Sequence, residues 1–155
     1  MSSDKKKKVK SAPEIRNRKA SFEYHFIETW VAGIELKGTE VKSLRDGKVQ
    51  MADAYCHFVG SSLFLKGMHI SEYTEGSYNN HEATRPRRLL LRNDELLKIR
   101  KGLQEKGLTV IPVKIFFGNR GYAKILIALA QGKKLYDKRD SIKERDVKRD
   151  MERNR

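Results

Sequence analysis

Apolar and polar residues alternate in two early parts of the chain, and this alternation predicts β-strands. The segment FEYHF (22–26) places an aromatic residue at every second position, and AGIEL (32–36) repeats the pattern with aliphatic residues. A period of two puts alternate side chains on one face, so each run is typical of a half-buried strand.

A short helix is predicted after the second of these runs, in the segment TEVKSLRDG. Gly38 breaks the strand, and Thr39 can cap the helix that follows. Val41 and Leu44 then fall on one helical face, and Gly47 is expected to end the helix.

The middle of the chain predicts a hairpin followed by a long loop. AYCHFV (54–59) and LFLKGMHI (63–70) are rich in β-branched, aromatic and aliphatic residues, and GSS joins them. Two such runs with a short polar link are typical of paired strands. The next segment, SEYTEGSYNNHEATRPRR (71–88), is polar and rich in turn-forming residues, so we expect a loop.

A second helix is predicted in RLLLRNDELLKIRKGLQEKG. Asn93 is its expected N-cap, acidic residues follow in the first turn, and Gly107 is the expected stop. Leu96, Ile99 and Leu103 have the spacing of a single apolar face.

Two strong strands are predicted near the end of the body, LTVIPVKIFF (108–117) and YAKILIALA (122–130), with GNRG as a tight turn between them. Pro112 indicates an edge strand or a bulge, because proline cannot donate to a β-ladder. Six or so short strands with two helices predict a mainly β fold: a small closed or nearly closed barrel flanked by helices, since closure removes exposed strand edges.

The charge of the chain indicates a polyanionic partner. The 155 residues carry a formal net charge of +14, and residues 1–19 alone hold eight basic and two acidic side chains. Nucleic acid is the leading candidate, because phosphate contacts draw in Lys and Arg and release counterions. The alternative for the run KKKK is a solvated arm that only aids solubility. No apolar stretch predicts a signal peptide or a membrane span.

No catalytic or metal site is predicted. The four histidines lack metal-ligand spacing, and Cys56 and His57 are adjacent in a predicted strand, so they point to opposite faces. The single cysteine excludes an internal disulfide and fits a reducing cytoplasm. GNRG is not a phosphate-binding loop. We therefore expect no enzyme activity and no cofactor.

Aromatic and basic residues each leave two interpretations open. Most of the strand aromatics are expected in the core, although some could stack on bases; they are Phe22, Tyr24, Phe26, Trp30, Phe116 and Phe117. Basic residues interleaved with apolar ones indicate either solvated faces or a nucleic-acid surface, and their number favours the latter; they are Lys42, Arg45, Arg85, Arg87, Arg88, Arg92 and Lys124.

The last segment, GKKLYDKRDSIKERDVKRDMERNR (132–155), holds ten basic and six acidic residues. Leu135 with Ile142, and Val147 with Met151, give a helix only a loose apolar stripe. Such a helix is marginal in water, so the tail is either permanently disordered or folds on a large, highly charged partner such as RNA. The predicted organisation is a disordered basic arm (1–16), a barrel domain (17–131) and this tail (132–155).

Long motifs in the chain resemble the SsrA-binding protein (small protein B) family of bacteria. They are NRKA, AGIELKGTEVKSLRDGK, TRPRRLLL, the YAK strand and GKKLYDKRDSIKERD. The resemblance implies an oligonucleotide-binding-like barrel with added helices. It also implies a non-catalytic protein that binds the tRNA-like end of transfer-messenger RNA and takes it to ribosomes stalled on messages lacking a stop codon. The implied tail enters the empty message channel and becomes helical there. Elongation factor Tu and alanyl-tRNA synthetase, which act on the same RNA, are possible further partners.

The resemblance also implies which residues do this work. The RNA-binding positions of the body are Arg18, Lys19, Glu40, Lys42, Ser43, Arg45, Leu90 and Lys124. The ribosome-binding positions of the tail are Gly132, Lys133, Lys134, Tyr136, Asp137, Lys138, Arg139, Ile142, Lys143 and Arg145. The chain departs from the family pattern at Val31, where many members have Glu, at Leu126, where many have Lys, and at Tyr136, where several have His.

Two other functions share some of these features. A structural ribosomal protein or a general RNA-binding chaperone would also have a barrel with basic ends. An RNA-processing enzyme would need convergent acids or a metal cluster, and the sequence shows neither.

Overall fold

The structure is a computed structural model that describes residues 13–73, 80–134 and 149. Its helices in this part of the chain are α1 (Arg18–Glu23), α2 (Gly38–Arg45) and α3 (Asn93–Leu103). Its strands are β1 (Ile15–Arg16), β2 (Tyr24–Ile34), β3 (Val49–Gln50), β4 (Tyr55–Val59), β5 (Ser62–Lys66), β6 (His69–Ile70), β7 (Arg87–Leu90), β8 (Leu108–Phe117) and β9 (Ala123–Gly132).

Six of the strands form a closed ring. Their order is β8-β4-β5-β7-β2-β9, and β9 pairs back to β8. The contact that joins β4 to β8 is a single pair, Cys56 opposite Val110, whereas β8 and β9 pair along their whole length. β1 extends the edge of β8, and β3 pairs with β6 in a separate small sheet. The predicted mainly β fold with added helices is confirmed.

The core lies inside the ring and is built by the alternation of each strand. Trp30, Ala32 and Ile34 of β2 point inward and are buried. Ile125 and Ile127 of β9 do the same, and Ile99 of α3 closes one end with no exposed surface. Each of the larger apolar side chains contributes about 1.5–3 kcal/mol by burial. The outward residues of the same strands are therefore free to form a surface.

The first predicted strand differs from the observed element. The segment from Arg18 to Glu23 is helical, and the strand from Tyr24 to Ile34 is continuous, so one strand replaces the two expected ones. The cause is Asn17, whose side-chain oxygen accepts from the N–H of Ala20 at 3.2 Å. Its Nδ2 also donates to the carbonyl of Pro112 at 2.9 Å, which fixes α1 against β8.

The segment RLLLRNDELLKIRKGLQEKG, which predicted the second helix, also contains part of a strand that lies before the expected N-cap, Asn93. Arg87–Leu90 forms a strand, β7, which lies between β5 and β2 in the ring. The helix itself begins at Asn93, and the cap residue is Arg92, whose N–H bonds to the Glu95 carboxylate at 3.0 Å. The loop prediction also extended too far, because it included the first two residues of β7.

Other predictions fit the structure closely. A register shift between Pro112 and Lys114 confirms the bulge expected at the proline. α2 begins one residue before Thr39, the expected cap. The expectation that most strand aromatics lie in the core holds in part: Trp30 is buried, Tyr24 and Phe117 are half-buried and pack against the core, and Phe26 is exposed. β1 and the hydrogen bond from the N–H of Asn17 to Val113 show that the sheet begins at Ile15.

Candidate nucleic-acid interface

Four neighbouring strands bring a row of residues together on the outside of the ring. Phe116 of β8 lies opposite Lys124 of β9, Lys124 opposite Gly33 of β2, and Gly33 opposite Leu90 of β7. Ile125 and Leu89, the neighbours of Lys124 and Leu90, are buried, so the row itself faces outward. We call these four residues the outer row.

Gly33 brings the two predicted residues of this row close to each other. Because glycine has no side chain, only its backbone separates Lys124 from Leu90, and strands are about 4.8 Å apart. A Cβ atom at Gly33 would lie 3.4 Å from Cβ of Leu90. Leu90 is 46% exposed and Lys124 is also exposed, so both can meet a partner.

The hairpin turn between β8 and β9 fixes the direction of Lys124. The N–H of Gly118 donates to the carbonyl of Tyr122 at 2.9 Å, and the N–H of Gly121 to the carbonyl of Gly118 at 3.0 Å. Gly121 has a φ of 83°, which glycine adopts without strain. The methylene chain of Lys124 packs over Gly118, where an added Cβ would meet its Cε at 3.0 Å.

Helix α2 adds two more predicted cations, of which Arg45 lies near the same turn. The Arg45 guanidinium lies over the Phe117 ring, 4.7 Å from its centre, and the ammonium of Lys42 lies 5.3 Å from the centre of the Tyr73 ring. Residues three apart share a helix face, and both side chains are exposed. A Cβ atom at Gly121 would lie 3.9 Å from Arg45, so α2 borders the turn. Lys42, Arg45 and Lys124 are thus exposed cations of α2 and of the hairpin that α2 borders, and we call these three residues the basic face.

Glu40 lies beneath that face and has no exposed surface. Its two carboxylate oxygens accept from Arg85 at 2.7 and 3.0 Å and from Nε of Arg87 at 2.8 Å. Arg87 is equally buried and donates to the carbonyl of Met68 at 2.7 Å as well. Arg87 is therefore part of the interior rather than of the basic surface that the sequence predicted. The ion-paired triad joins α2 to the start of β7.

The charge of Glu40 is stabilised by these contacts. Burial alone would raise the pKa of this carboxyl group, because it disfavours the ionised form. The hydrogen bonds from Arg85, from the N–H of Lys37 and from Arg87 outweigh burial, so the pKa of Glu40 lies below its usual range. Glu40 is consequently ionised at neutral pH and supports α2 from below.

A second contact fastens the loop before β7 to α2. His81 is buried, with Nδ1 2.9 Å from the Thr39 hydroxyl and Nε2 2.9 Å from the carbonyl of Ile70. A carbonyl only accepts, so Nε2 carries a proton and donates to Ile70. Ser43 is also buried, and its hydroxyl has no hydrogen-bond partner within the described part of the chain. The side chains of Glu40 and Ser43 thus lie under the surface in this structure.

Arg18 and Lys19 lie at a different place, on α1. Lys19 pairs with Asp53 at 3.1 Å, and Arg18 is exposed. α1 ends where β2 begins, and Tyr24 is nine residues before Gly33. At 3.3 Å per residue, α1 is roughly 30 Å along the strand from the outer row. The structure does not bring these two cations together with Lys124.

The root of the tail lies beside α1. Gly132 is the last residue of β9 and pairs with Tyr24. The N–H of Lys133 donates to the carbonyl of Glu23 at 2.8 Å, and its Nζ lies 3.3 Å from the carbonyl of Ser21. Lys134 is exposed. The other predicted tail residues lie outside the described residues: Tyr136, Asp137, Lys138, Arg139, Ile142, Lys143 and Arg145.

Several surface residues near Lys124 were missed from the sequence. An open cleft of about 500 Å³ is lined by Val31, Phe116, Gly118, Asn119, Arg120, Tyr122 and Lys124. Arg120 belongs to GNRG, which was predicted only as a turn, and Tyr122 is the first residue of the strand predicted at 122–130. The sequence could have predicted both as surface residues, because large and charged side chains at a tight hairpin turn point outward.

The candidates for chemistry among the described residues are the single cysteine and the side chains that could bind a metal ion. Burial raises the pKa of the Cys56 thiol, so the group stays protonated and unreactive. No group of three or more His, Cys, Asp or Glu residues in the described ranges could hold a metal ion. No helix among the same residues is long and apolar enough to cross a membrane.

Comparisons with known proteins agree with one another. The family model described as "SmpB protein" matches residues 14–155. An SsrA-binding protein of Phocaeicola vulgatus is 52% identical over 139 residues, covering 90% of this chain and 93% of its own length. One from Cytophaga hutchinsonii is 52% identical over 147 residues, covering 95% and 96%, and one from Thermosipho melanesiensis is 49% identical over 133 residues, covering 86% and 90%.

A solved structure is also similar to this chain. It is described as "tmRNA-SmpB: a journey to the center of the bacterial ribosome". The superposition has a TM-score of 0.69 with 48% sequence identity, and it covers 80% of this chain and 87% of that one.

Proposed function

The chain belongs to the SmpB protein family, and from this premise we propose that it is an RNA-binding adaptor that delivers transfer-messenger RNA to stalled ribosomes for trans-translation. The structural observation that best supports this function is the basic face beside the outer row. Lys42 and Arg45 are exposed on α2, and Arg45 borders the turn between β8 and β9 that is followed by the exposed Lys124.

The basic face is suited to a phosphate backbone. Each cation that replaces a condensed counterion on RNA adds a salt-dependent contribution to affinity. The Arg45 guanidinium is held over an aromatic ring and Lys124 over the turn backbone, so both lose little side-chain freedom on binding. Leu90, at the other end of the outer row, supplies an exposed apolar contact.

The predicted body residues then have two kinds of role. Lys42, Arg45, Leu90 and Lys124 contact RNA directly. Glu40 acts as a positioning residue, because its carboxylate is buried among Arg85 and Arg87 and holds α2 in place. Ser43, buried on the same helix, acts with it.

In this proposal the tail binds the ribosome, while the body binds transfer-messenger RNA. Residues 132–155 enter the empty message channel and fold there, with Tyr136 stacking on a base and Asp137, Lys138 and Arg139 meeting ribosomal RNA and protein. Lys133 fixes the start of the tail to α1, roughly 30 Å along β2 from the outer row. Arg18 and Lys19 lie at the same end. The outer row faces the carried RNA and the tail faces the ribosome, while Arg18 and Lys19, which the resemblance assigns to the carried RNA, lie near the root of the tail.

The proposed protein has no catalytic activity of its own and works in the cytoplasm, where stalled ribosomes are found. Its organisation is a basic arm before β1 (Ile15–Arg16), a ring of strands, and a basic tail that begins where β9 ends, at Gly132. Elongation factor Tu and alanyl-tRNA synthetase act on the same RNA and are further candidate partners.

A reconstituted tagging reaction tests the function. Ribosomes stalled on a message without a stop codon are mixed with charged transfer-messenger RNA, elongation factor Tu and the full chain, and the tagged peptide is measured. We expect tagging only when the chain is present. A chain cut after Gln131 should bind transfer-messenger RNA with near-normal affinity but give no tagging. Full tagging by the cut chain would show that the tail is only a solvated appendage.

High-salt washing of ribosomes separates the alternative function. A structural ribosomal protein stays bound at one copy per ribosome through the wash, whereas the proposed adaptor is substoichiometric and leaves with its RNA. Equal amounts of the chain and of ribosomes after washing would favour the structural role.

A further inference from the structure

A second cleft, of about 380 Å³, lies between α1, the loop before β4, and strand β8. Lys19, Glu23 and Tyr24 line it on the side of α1, and Asp53 and Tyr55 line it on the other side. We call it the α1 cleft. The proposed function gives its acidic and aromatic residues no role.

The α1 cleft is preformed, because Asn17 holds its walls together. The side chain of Asn17 is buried, and its Nδ2 donates to the carbonyl of Met51 at 3.2 Å and to that of Pro112 at 2.9 Å. The ammonium of Lys19 also pairs with the Asp53 carboxylate at 3.1 Å, which joins the two sides. A ligand therefore meets walls that are already ordered, which favours binding.

The chemistry of the α1 cleft suits a cation. Among the described residues that line it, the carboxylates of Glu23 and Asp53 outnumber the one basic group, Lys19, although the whole chain carries +14. Tyr24 is half-buried and Tyr55 is 45% exposed, so both rings are partly open to a ligand. A guanidinium pairs with carboxylates through its fork of N–H groups and also stacks on aromatic rings. The cleft therefore favours an arginine side chain.

The tail of the same chain begins beside the α1 cleft. Gly132 pairs with Tyr24, and the N–H of Lys133 donates to the carbonyl of Glu23 at 2.8 Å, so β9 ends next to two residues of the cleft. Arg139 is the first arginine of the tail, six residues after Lys133. Six residues span up to about 20 Å, whereas a helix with its side chains is about 10–12 Å wide. Arg139 can therefore reach either side of α1.

We propose that the α1 cleft binds the guanidinium of Arg139 in the free chain, between the carboxylates of Glu23 and Asp53 and beside the ring of Tyr55. The inference goes beyond the proposed function, since it concerns the chain before it meets RNA or a ribosome. While Arg139 is held there, it is kept from non-specific contact with phosphates. Ribosomal RNA offers many more anionic groups than the cleft does, so docking on the body and binding on the ribosome are successive states of the tail.

The test is paramagnetic broadening of amide signals in the full chain, with a spin label attached at Ser141→Cys. Cys56 is buried, so the reagent labels the new thiol. We expect the label to broaden the signals of Asp53 and Tyr55. A label in an undocked tail also broadens some signals of the body, so the diagnostic result is a loss of this broadening when Arg139 is replaced by Ala.

Two matched controls accompany this measurement. Glu23→Gln removes a carboxylate of the cleft and should reduce the broadening, whereas Glu28→Gln removes an exposed carboxylate of β2 outside the cleft and should not. Arg155→Ala removes the same charge as Arg139→Ala but at the last residue of the tail, and should leave the broadening unchanged. Unchanged signals far from the cleft show that each variant is folded. Equal broadening in the wild type and all four variants would overturn the docking site.

Further labelling experiments identify any other occupant of the cleft. Broadening of isotope-labelled chains by separate spin-labelled chains would show that a second copy binds there. A label at Ser3→Cys whose effect depends on Glu23, with no such dependence for the label at Ser141→Cys, would show that the basic arm binds there. Either result overturns the proposal. Docking with no tagging in the reconstituted reaction would refute the proposed function alone.

Discussion

Replacing Glu40 by Gln tests whether the buried triad supports the basic face. Glu40 and Arg87 both have no exposed side-chain surface, and their atoms lie 2.7–2.8 Å apart. The substitution keeps the shape of the side chain but removes its charge. Arg87 is then a buried cation without a counterion, and the new amide group points a donor at another donor.

The expected loss of stability is large for a single substitution. Removing one partner of a buried ion pair costs about 3–5 kcal/mol. The amide oxygen of Gln can retain two of the four hydrogen bonds that the carboxylate accepts, so we expect about 3 kcal/mol, the lower end of this range. A domain of this size is stable by only about 5–15 kcal/mol, so the change is easily resolved. Urea unfolding with linear extrapolation gives the number.

Glu35→Gln is the matched control. Its carboxylate pairs with Arg88 at 3.9 Å on the surface, where half of each side chain is exposed, so the loss should be under about 1 kcal/mol. Unfolding free energies of Glu40→Gln and wild type that agree within about 0.5 kcal/mol would refute the role of the triad. RNA affinity should fall with Glu40→Gln as α2 loses its support, and stay normal in the control.

The ion pairs of Glu40 with Arg85 and Arg87 also predict that the stability of the fold depends on pH. The pKa of Glu40 is lowered in the folded chain, so its stabilisation is present above the unfolded pKa near 4.3 and is lost as the pH falls through the folded value. Wild-type stability should therefore fall between about pH 5 and the folded pKa. Unfolding curves of Glu40→Gln over this range should show a smaller fall, and equal falls in both proteins would contradict the assignment.

Further predictions concern other parts of the molecule. Lys124→Ala should weaken binding of transfer-messenger RNA by about 1 kcal/mol or more and reduce the salt slope by about 1, measured by titration at several salt concentrations; an unchanged slope would argue against a phosphate contact. Gly67→Ala should destabilise the fold by more than about 1 kcal/mol in urea unfolding, because Gly67 has a φ of 81° and the new Cβ would lie 2.8 Å from the carbonyl oxygen of Asp53. Cys56 should resist thiol reagents at neutral pH until the chain unfolds, because burial raises the pKa of its thiol; rapid labelling of the native protein would contradict that burial.

Local patterns predicted the β8–β9 hairpin well, and contacts between distant residues explain what the sequence did not show. The hairpin is a local unit with a tight turn and two long alternating runs, so its sequence carries its structure. α1 depends on Asn17 reaching Pro112, which is 95 positions away. The segment RLLL suits either a helix or a strand, and its place between β5 and β2 decides for the strand.

In the candidate site, too, local motifs predicted some residues, whereas contacts between distant residues determine the rest. Lys42, Arg45 and Lys124 were predicted from motifs, and in the structure all three are exposed, with Arg45 bordering the turn that precedes Lys124. That Glu40 and Arg87 are interior could not be predicted, since charged residues are surface residues by default unless a partner is known. The outer row needs the register of four strands, and no single segment contains that information.

The RNA that co-purifies with the full chain is the most direct measure of the central proposal. The full chain, carrying an affinity tag, is recovered from bacterial cells at physiological salt. Its bound RNA is sequenced and compared with total cellular RNA. We predict strong enrichment of transfer-messenger RNA over ribosomal and ordinary transfer RNA, and loss of this enrichment when Lys42, Arg45 and Lys124 are all replaced by Ala. Recovery of RNA species in proportion to their abundance in the cell would contradict the account and indicate a general RNA-binding protein.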